Sequence, residues 1–354
     1  MLSTSSINPS DPVKSDTDHR RSEFAHTLAK RHEAESIPLQ KRKIGKSPGI
    51  FHNPKPDLLE ELETWEKALR TANAIFKAVP SNDLPVSRAG EWMLDNFYVV
   101  KQTFRQIEEN LPPSFLNHLP KLAGTSLPRI FALAWEWIGY SQSQLDLTQA
   151  TAFVQAYQQI TPLTIGELWA LPSMLRIGIL ERLVYAAAEL TGIDLTKGLS
   201  EIPSQVASPT LASETIVANC FLSLRLLSTT NWEDFFEQTS QVEQILRDDP
   251  AAIYTRMDFD TRNSYRNVIE ELARYSTLSE EDVARTAIEL ARSAGRKAPG
   301  RQAHVGFYLQ DAGRKTLEAS IRYQTGLRLR IRRALLSAPT LTYLGSIAIV
   351  STFF

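Results

Sequence analysis

The sequence predicts an all-α protein: a multi-helix assembly with a disordered N-terminal arm and a truncated C-terminal membrane segment. Three observations predict it. Apolar side chains recur at three- and four-residue steps along most of the chain after Pro56, which places them on one face of a helix. Helix start signals recur, such as Thr164 followed three residues later by Glu167. Runs of alternating apolar and polar residues, which indicate strands, are not convincing.

The first segment, residues 1–56, is polar and rich in Ser, Pro, Lys and Arg. We expect a disordered arm here, with a short helix over residues 22–35, because a segment with little apolar surface cannot offset the entropy lost on folding. The basic cluster at residues 41–43 is interpreted as part of a solvated tail, and contact with an anionic lipid or a partner is the alternative.

A first helical group is expected over residues 57–196. Pro172 lies inside its last helical pattern, where a kink or a late start is expected. Gly192 ends that pattern, as glycine commonly does after a helix. The start signals of this group are, in chain order, Asp57 with Glu60, a position near Arg88, Pro128, Asp146 or Thr148, and Thr164 with Glu167.

A polar, proline-bearing linker over residues 197–209 is predicted to separate this group from a second one over residues 210–337. Residues 338–354 are predicted to begin a transmembrane helix. In the second group the helical patterns begin near Ser213, Asn231, Asp260, Ser279 and Arg314.

Composition excludes several classes of function. A net charge of −1 over 354 residues argues against a general nucleic-acid-binding protein, and we expect no nucleic-acid partner. The single cysteine, Cys220, cannot form an intrachain disulfide and is interpreted as a buried, unreactive thiol. No phosphate-binding glycine motif occurs, and none of the 6 histidines has metal-ligand spacing. We therefore predict no catalytic residues, no cofactor and no metal site.

The C-terminal end predicts contact with a membrane. Four arginines, Arg328, Arg330, Arg332 and Arg333, precede an apolar run over residues 341–354. A spanning helix needs about 20 residues, so the run is shorter than a full span. Basic residues beside a membrane segment are typical of the cytoplasmic side. We expect the chain at the cytoplasmic face of the bacterial inner membrane.

Two sets of residues are candidate binding contacts. Trp92, Trp135, Glu136 and Trp169 could line a carbohydrate cleft, since sugars stack on aromatic rings and glycosidases use carboxylates. Tryptophan in a helix core is the alternative. Arg256 and Asp258 could form an anion or partner site, with helix capping by Asp258 or Asp260 as the alternative.

Six long stretches carry a family resemblance: residues 91–112, 119–124, 127–146, 161–176, 249–274 and 303–318. They resemble the N-terminal region of bacterial cyclic β-1,2-glucan synthases. The resemblance implies a membrane glucosyltransferase region that uses UDP-glucose, followed by a phosphorylase-like region, both beyond the segment seen here. No family catalytic residue matches a position of this chain.

These observations favour a non-catalytic cytoplasmic N-terminal region of such a synthase, as a fragment or truncated frame. Its expected partners are the membrane and the remaining regions of the synthase. One alternative is a free-standing helical carbohydrate-active enzyme that uses the Trp and Glu cluster. Another is a membrane-surface interaction module unrelated to glucan.

Overall fold

The predicted all-α class is confirmed by a computed structural model that describes residues 12–37, 58–78, 84–125, 127–195, 212–297 and 300–323. Within these ranges the only strands are β1 (Ser36–Ile37) and β2 (Lys121–Leu122), which pair antiparallel. The helices are α1 (Pro12–Glu35), α2 (Leu58–Ala78), α3 (Leu84–Asn110), α4 (Pro113–Leu116), α5 (Arg129–Tyr140), α6 (Leu147–Gln158), α7 (Ile165–Thr191), α8 (Ser213–Thr229), α9 (Trp232–Thr239), α10 (Gln241–Arg247), α11 (Phe259–Arg274), α12 (Glu280–Lys297), α13 (Gly306–Gln310) and α14 (Arg314–Ser320).

The chain divides into two compact units, Met1–Ser240 and Gln241–Phe354. The predicted linker over residues 197–209 lies outside the described residues. The helix that follows it, α8, packs against α3 and α7 and so belongs to the first unit. Ser240, in an extended conformation, separates α9 from α10 within the stretch that the sequence groups as one helix from Asn231. The division of the chain therefore falls at this break.

The first unit is built around α7, which packs against α2, α3, α5, α8 and α9. Its start is the predicted capping box: Thr164 Oγ1 accepts from Glu167 N, and the Glu167 side chain accepts from Thr164 N. Gly192 ends the helix in the left-handed conformation, as predicted. Pro172 lies within the helix, which continues to Thr191. Apolar side chains on every face of α7 are buried, and each buried Leu, Ile, Val or Met side chain stabilises the fold by about 1.5–3 kcal/mol.

In the N-terminal arm the sequence prediction is confirmed in part. The short helix expected over residues 22–35 is present, but it belongs to a 24-residue helix, α1, that begins at Pro12, where disorder was expected. It packs on α6 through a buried stripe at three- and four-residue steps. That stripe consists of Ala25, Leu28, Ala29 and His32. Phe24 adds a stacked contact with Phe153 of α6, at 5.9 Å between ring centroids.

Most of the local start signals are confirmed. Asp146 caps α6 by accepting from Gln149 N at 2.8 Å, and Pro128 precedes α5. Ser279 Oγ accepts from Asp282 N at the start of α12. The second predicted helix begins at Leu84, ahead of the expected Arg88. Asp57 lies outside the described residues.

In the second unit, α12 packs against α10, α11 and α13. Its buried side chains, among them Val283, Ala287 and Ala291, form one stripe, and the short ones allow close approach of the neighbouring helices. Over the part of the chain that the structure describes, no helix is both long enough and apolar enough to span a membrane. The apolar run over residues 341–354 and the four arginines ahead of it lie outside that part.

Candidate functional site

The second unit holds a buried carboxylate surrounded by basic groups. Glu243 of α10 is fully buried and accepts from Arg266 Nη1 at 2.6 Å, Arg262 Nη1 at 2.8 Å and Tyr254 Oη at 2.7 Å. Arg247 Nε donates to it at 3.1 Å. Burial opposes ionisation of Glu243, but the hydrogen bonds from Tyr254, Arg247 and Arg266 outweigh it, and the pKa lies below its ordinary value.

A second carboxylate joins distant parts of the same unit. Asp249 Oδ2 accepts from Ile253 N, Tyr254 N and His304 Nδ1, and Oδ1 accepts from Val305 N at 2.9 Å. Burial acts to raise the pKa of Asp249, but the hydrogen bonds from His304 and the backbone lower it overall. A carboxylate with this many donors is held as an anion. Asp249 therefore fixes the turn before α13 to the segment between α10 and α11.

The two stretches of this unit that resemble the synthase family meet at Asp249. Residues 249–274 supply Asp249, Tyr254, Arg262 and Arg266, while residues 303–318 supply His304 and Val305. His304 also lies 3.3 Å from Tyr265 Oη through its Nε2 atom. Sequence reasoning missed Glu243, Asp249 and His304 because their partners are up to 56 positions away along the chain.

In the first unit the main buried ion pair joins α5 to α7. Arg129 donates to both oxygens of Glu167, from Nε at 2.9 Å and from Nη2 at 2.6 Å, and Glu167 has a fully buried side chain. His32 of α1 lies beside this pair, 3.0 Å from Tyr157 Oη through its Nδ1 atom. Burial, together with the charges of Arg31 and Arg129, lowers the pKa of His32 to about 3. This histidine is neutral at physiological pH.

The four side chains that were predicted to line a carbohydrate cleft each take part in a different contact between helices. Trp92 of α3 stacks on Phe221 of α8, with ring centroids 6.4 Å apart, and Trp169 of α7 stacks on Phe236 of α9 at 4.7 Å. Glu136 pairs with Arg31 of α1. The last member, Trp135, hydrogen-bonds to Glu181 of α7. Each residue thus joins a different pair of helices, and carbohydrate contact stays a prediction.

Asp258 adopts the structural role that was the alternative for it. It caps α11 by accepting from Thr261 N at 2.8 Å, and this backbone hydrogen bond holds the pKa of the carboxyl below its ordinary value. Arg256 is exposed and its Nε donates to Ala252 O at 3.1 Å. Asp258 thus acts as a helix cap; the proposed anion or partner contact remains untested.

The remaining chemistry on the described residues is limited. Cys220 is fully buried in α8, and burial raises the pKa of its thiol to about 12, in line with the predicted unreactive thiol. No group of three or more His, Cys, Asp or Glu side chains that could hold a metal occurs among the residues that the structure describes.

Comparison with known proteins identifies a similar sequence. The chain is 28% identical, over an alignment of 355 residues, to the cyclic β-(1,2)-glucan synthase NdvB of Rhizobium meliloti (strain 1021). The resemblance to cyclic β-1,2-glucan synthases is confirmed. The match covers 79% of this chain and 12% of that relative, so the chain spans about one eighth of the relative's length. No protein-family model matches the chain.

Proposed function

We propose that this chain is a non-catalytic helical region of a cyclic β-1,2-glucan synthase, which supports synthesis of the glucan by other regions of that protein. The similarity to a cyclic β-(1,2)-glucan synthase over 79% of the chain carries this proposal. The similarity supports glucan synthesis as the reaction of the whole protein, and UDP-glucose is the glucosyl donor that the resemblance implies.

The contacts of the acidic residues support a structural role for the region itself. Glu167 accepts from Arg129 and caps α7, while Glu243 and Asp249 each accept hydrogen bonds from several groups. The hydrogen bonds lower the pKa of Glu243 and of Asp249, so these two carboxylates stay ionised and serve poorly as general acids. These acids hold helices together around the stretches that resemble the synthase.

We further propose that the region works at the cytoplasmic face of the inner membrane, with the membrane and the other regions of the synthase as its partners. Arg328, Arg330, Arg332 and Arg333 ahead of the apolar run over residues 341–354 support this placement. Arginines in such a position attract an anionic membrane surface.

The test is complementation in a bacterium whose cyclic glucan synthase lacks the region that matches this chain. Restoring the region with this sequence is expected to restore cyclic β-1,2-glucan, measured by chromatography of periplasmic extracts. A version with Arg129→Ala, which breaks the buried pair with Glu167, is the control and is expected to restore little. Full glucan synthesis without the region would contradict the proposal.

A separate assay addresses the free-standing enzyme. Purified chain incubated with UDP-glucose or with β-1,2-glucan is expected to release no product above background. Glu136, half-buried beside Trp135 and paired with Arg31, is the residue on which the enzyme alternative depends. Turnover that disappears in Glu136→Gln would favour that alternative over a structural region.

A further inference from the structure

Two carboxyl groups are buried where α2, α5 and α7 meet. Glu61 of α2 is 5% exposed and Glu181 of α7 is 3% exposed, and the two helices pack directly on each other. The Trp135 side chain of α5 hydrogen-bonds to Glu181, and an indole N–H can only donate. No part of the proposed function uses this pair.

The surroundings of Glu181 differ from those of every other buried acid described above. Glu167, Glu243 and Asp249 each face an arginine or histidine that donates to them, whereas Oε2 of Glu181 has no hydrogen-bond partner among the described residues. Leaving a charged oxygen buried in this way is costly. A second negative charge on Glu61 increases that cost.

The charged and titratable groups that act on Glu181 come from three helices. Glu61 on α2 raises its pKa, while the hydrogen bond from Trp135 on α5 and the charge of Arg182 on α7 lower it. Burial is the largest influence, and the net result raises the pKa of Glu181 to about 8. Tyr185, one turn further along α7, has its own pKa raised by burial and by both acids.

We propose that Glu61 and Glu181 together retain one proton at neutral pH, and that this proton holds α2 against α7. The neutral acid removes the repulsion between the two buried groups and allows one carboxyl O–H to donate. Loss of the proton places two negative charges in the interface, so the packing of α2 is weakest in alkaline solution.

This arrangement sets the direction of the pH dependence. In the unfolded chain Glu181 ionises near its ordinary pKa of 4.5, whereas in the folded chain it does so at about 8. Between these values the folded state binds one more proton than the unfolded state, so stability falls as pH rises. One extra proton changes the ratio of folded to unfolded chain about tenfold per pH unit. Above pH 8 this contribution is constant.

Urea unfolding of the full chain between pH 5 and pH 8, compared with Glu181→Gln, tests the proposal. The amide is neutral at every pH, so the variant is expected to lose this part of the pH dependence and to exceed the wild type in stability at pH 8. Glu63→Gln, at an exposed position of α2, is the control and should follow the wild type. Equal pH dependence in wild type and Glu181→Gln overturns the proposal.

Infrared spectroscopy gives a second measurement that does not depend on the stability of Glu181→Gln. The wild type is expected to show the C=O stretch of a protonated carboxylic acid at pH 7, and this band should decrease as the pH passes about 8. In Glu61→Gln, where the neighbouring charge is removed, the midpoint should move to lower pH. A wild-type spectrum without this band at pH 7 contradicts the proposal.

Discussion

At the scale of single residues, one side chain can carry two structural roles, only one of which is visible in the sequence. The spacing of Thr164 and Glu167 predicts the capping box, which the structure confirms. The ion pair of Glu167 with Arg129 joins residues 38 positions apart and depends on how α5 packs on α7. No local pattern encodes that distance, so the partner could not be predicted.

Removing Arg129 is expected to destabilise the chain strongly. Arg129→Ala leaves the buried Glu167 carboxyl group without its bidentate donor, and breaking a buried pair in this way costs about 3–5 kcal/mol. The free energy of unfolding in urea, followed by circular dichroism, measures the loss. Arg70→Ala is the matched control: the exposed pair of Arg70 with Glu66 is worth less than about 1 kcal/mol. Equal losses in both variants would contradict this prediction.

Asp249→Asn is expected to reduce stability at neutral pH by about 1.5–3 kcal/mol, the range for hydrogen bonds to a charged group. The pKa of Asp249 is lower in the folded chain than its ordinary 3.8, so its contribution is present at neutral pH and is lost as the pH falls through the folded-state value. Unfolding curves of wild type and variant should therefore converge in acid. A constant difference down to the lowest pH would mean that the carboxylate charge is not involved.

At the scale of elements, the sequence predicts the helices best where their ends carry local signals. Asp146, Gly192 and Ser279 cap or end helices as expected, because capping depends on residues within one turn. For α1 the sequence predicts only a short helix over residues 22–35. Its docking in the core was not predicted, because its buried stripe contains two alanines and a histidine, which give little apolar periodicity. Its place in the core depends on Tyr157 and Phe153 of α6, which lie more than a hundred positions away.

At the start of α13, side chains of neighbouring elements in the second unit lie very close to the backbone of Gly306. A Cβ atom on Gly306 would lie 2.2 Å from Tyr265 Oη and 2.6 Å from His304 Nε2. Gly306→Ala is therefore expected to destabilise the chain by about 1–3 kcal/mol, the range for overpacking. Gly139→Ala, in α5 with no atom within 4 Å of the new Cβ, should stabilise by about 0.5–1 kcal/mol. Thermal unfolding of the two variants compares them, and a neutral Gly306→Ala would refute the close approach.

At the scale of the whole molecule, the sequence and the structure divide the chain at different places. The sequence places a boundary at a polar stretch, residues 197–209, because composition changes there. The division between the compact units falls after Ser240, where the chain between α9 and α10 is extended. Composition reports on solvent exposure, whereas the division depends on which helices share a core, and α8 shares one with α3 and α7.

The membrane association that we propose concerns the full chain, and it can be measured by flotation with vesicles that contain anionic lipid. The full chain is expected to float with the vesicles, and a version ending at Ser337 should bind more weakly because the apolar run is absent. Replacing Arg328, Arg330, Arg332 and Arg333 with Gln removes roughly 1 kcal/mol of attraction per residue. Added salt should reproduce that loss. Equal flotation of all versions would contradict the membrane placement.

The docking of α1 has a consequence for the order of events during synthesis. His32 and Ala29 contact Tyr157 and Thr161, residues that the ribosome adds 125 and 132 positions later. At about 5–20 residues per second, roughly 6 to 26 seconds pass between the synthesis of the α1 residues and that of their partners. During that time the apolar stripe of α1 is open to chaperones. The first unit therefore completes its core only after α6 and Thr161 have been synthesised, although α1 precedes them along the chain.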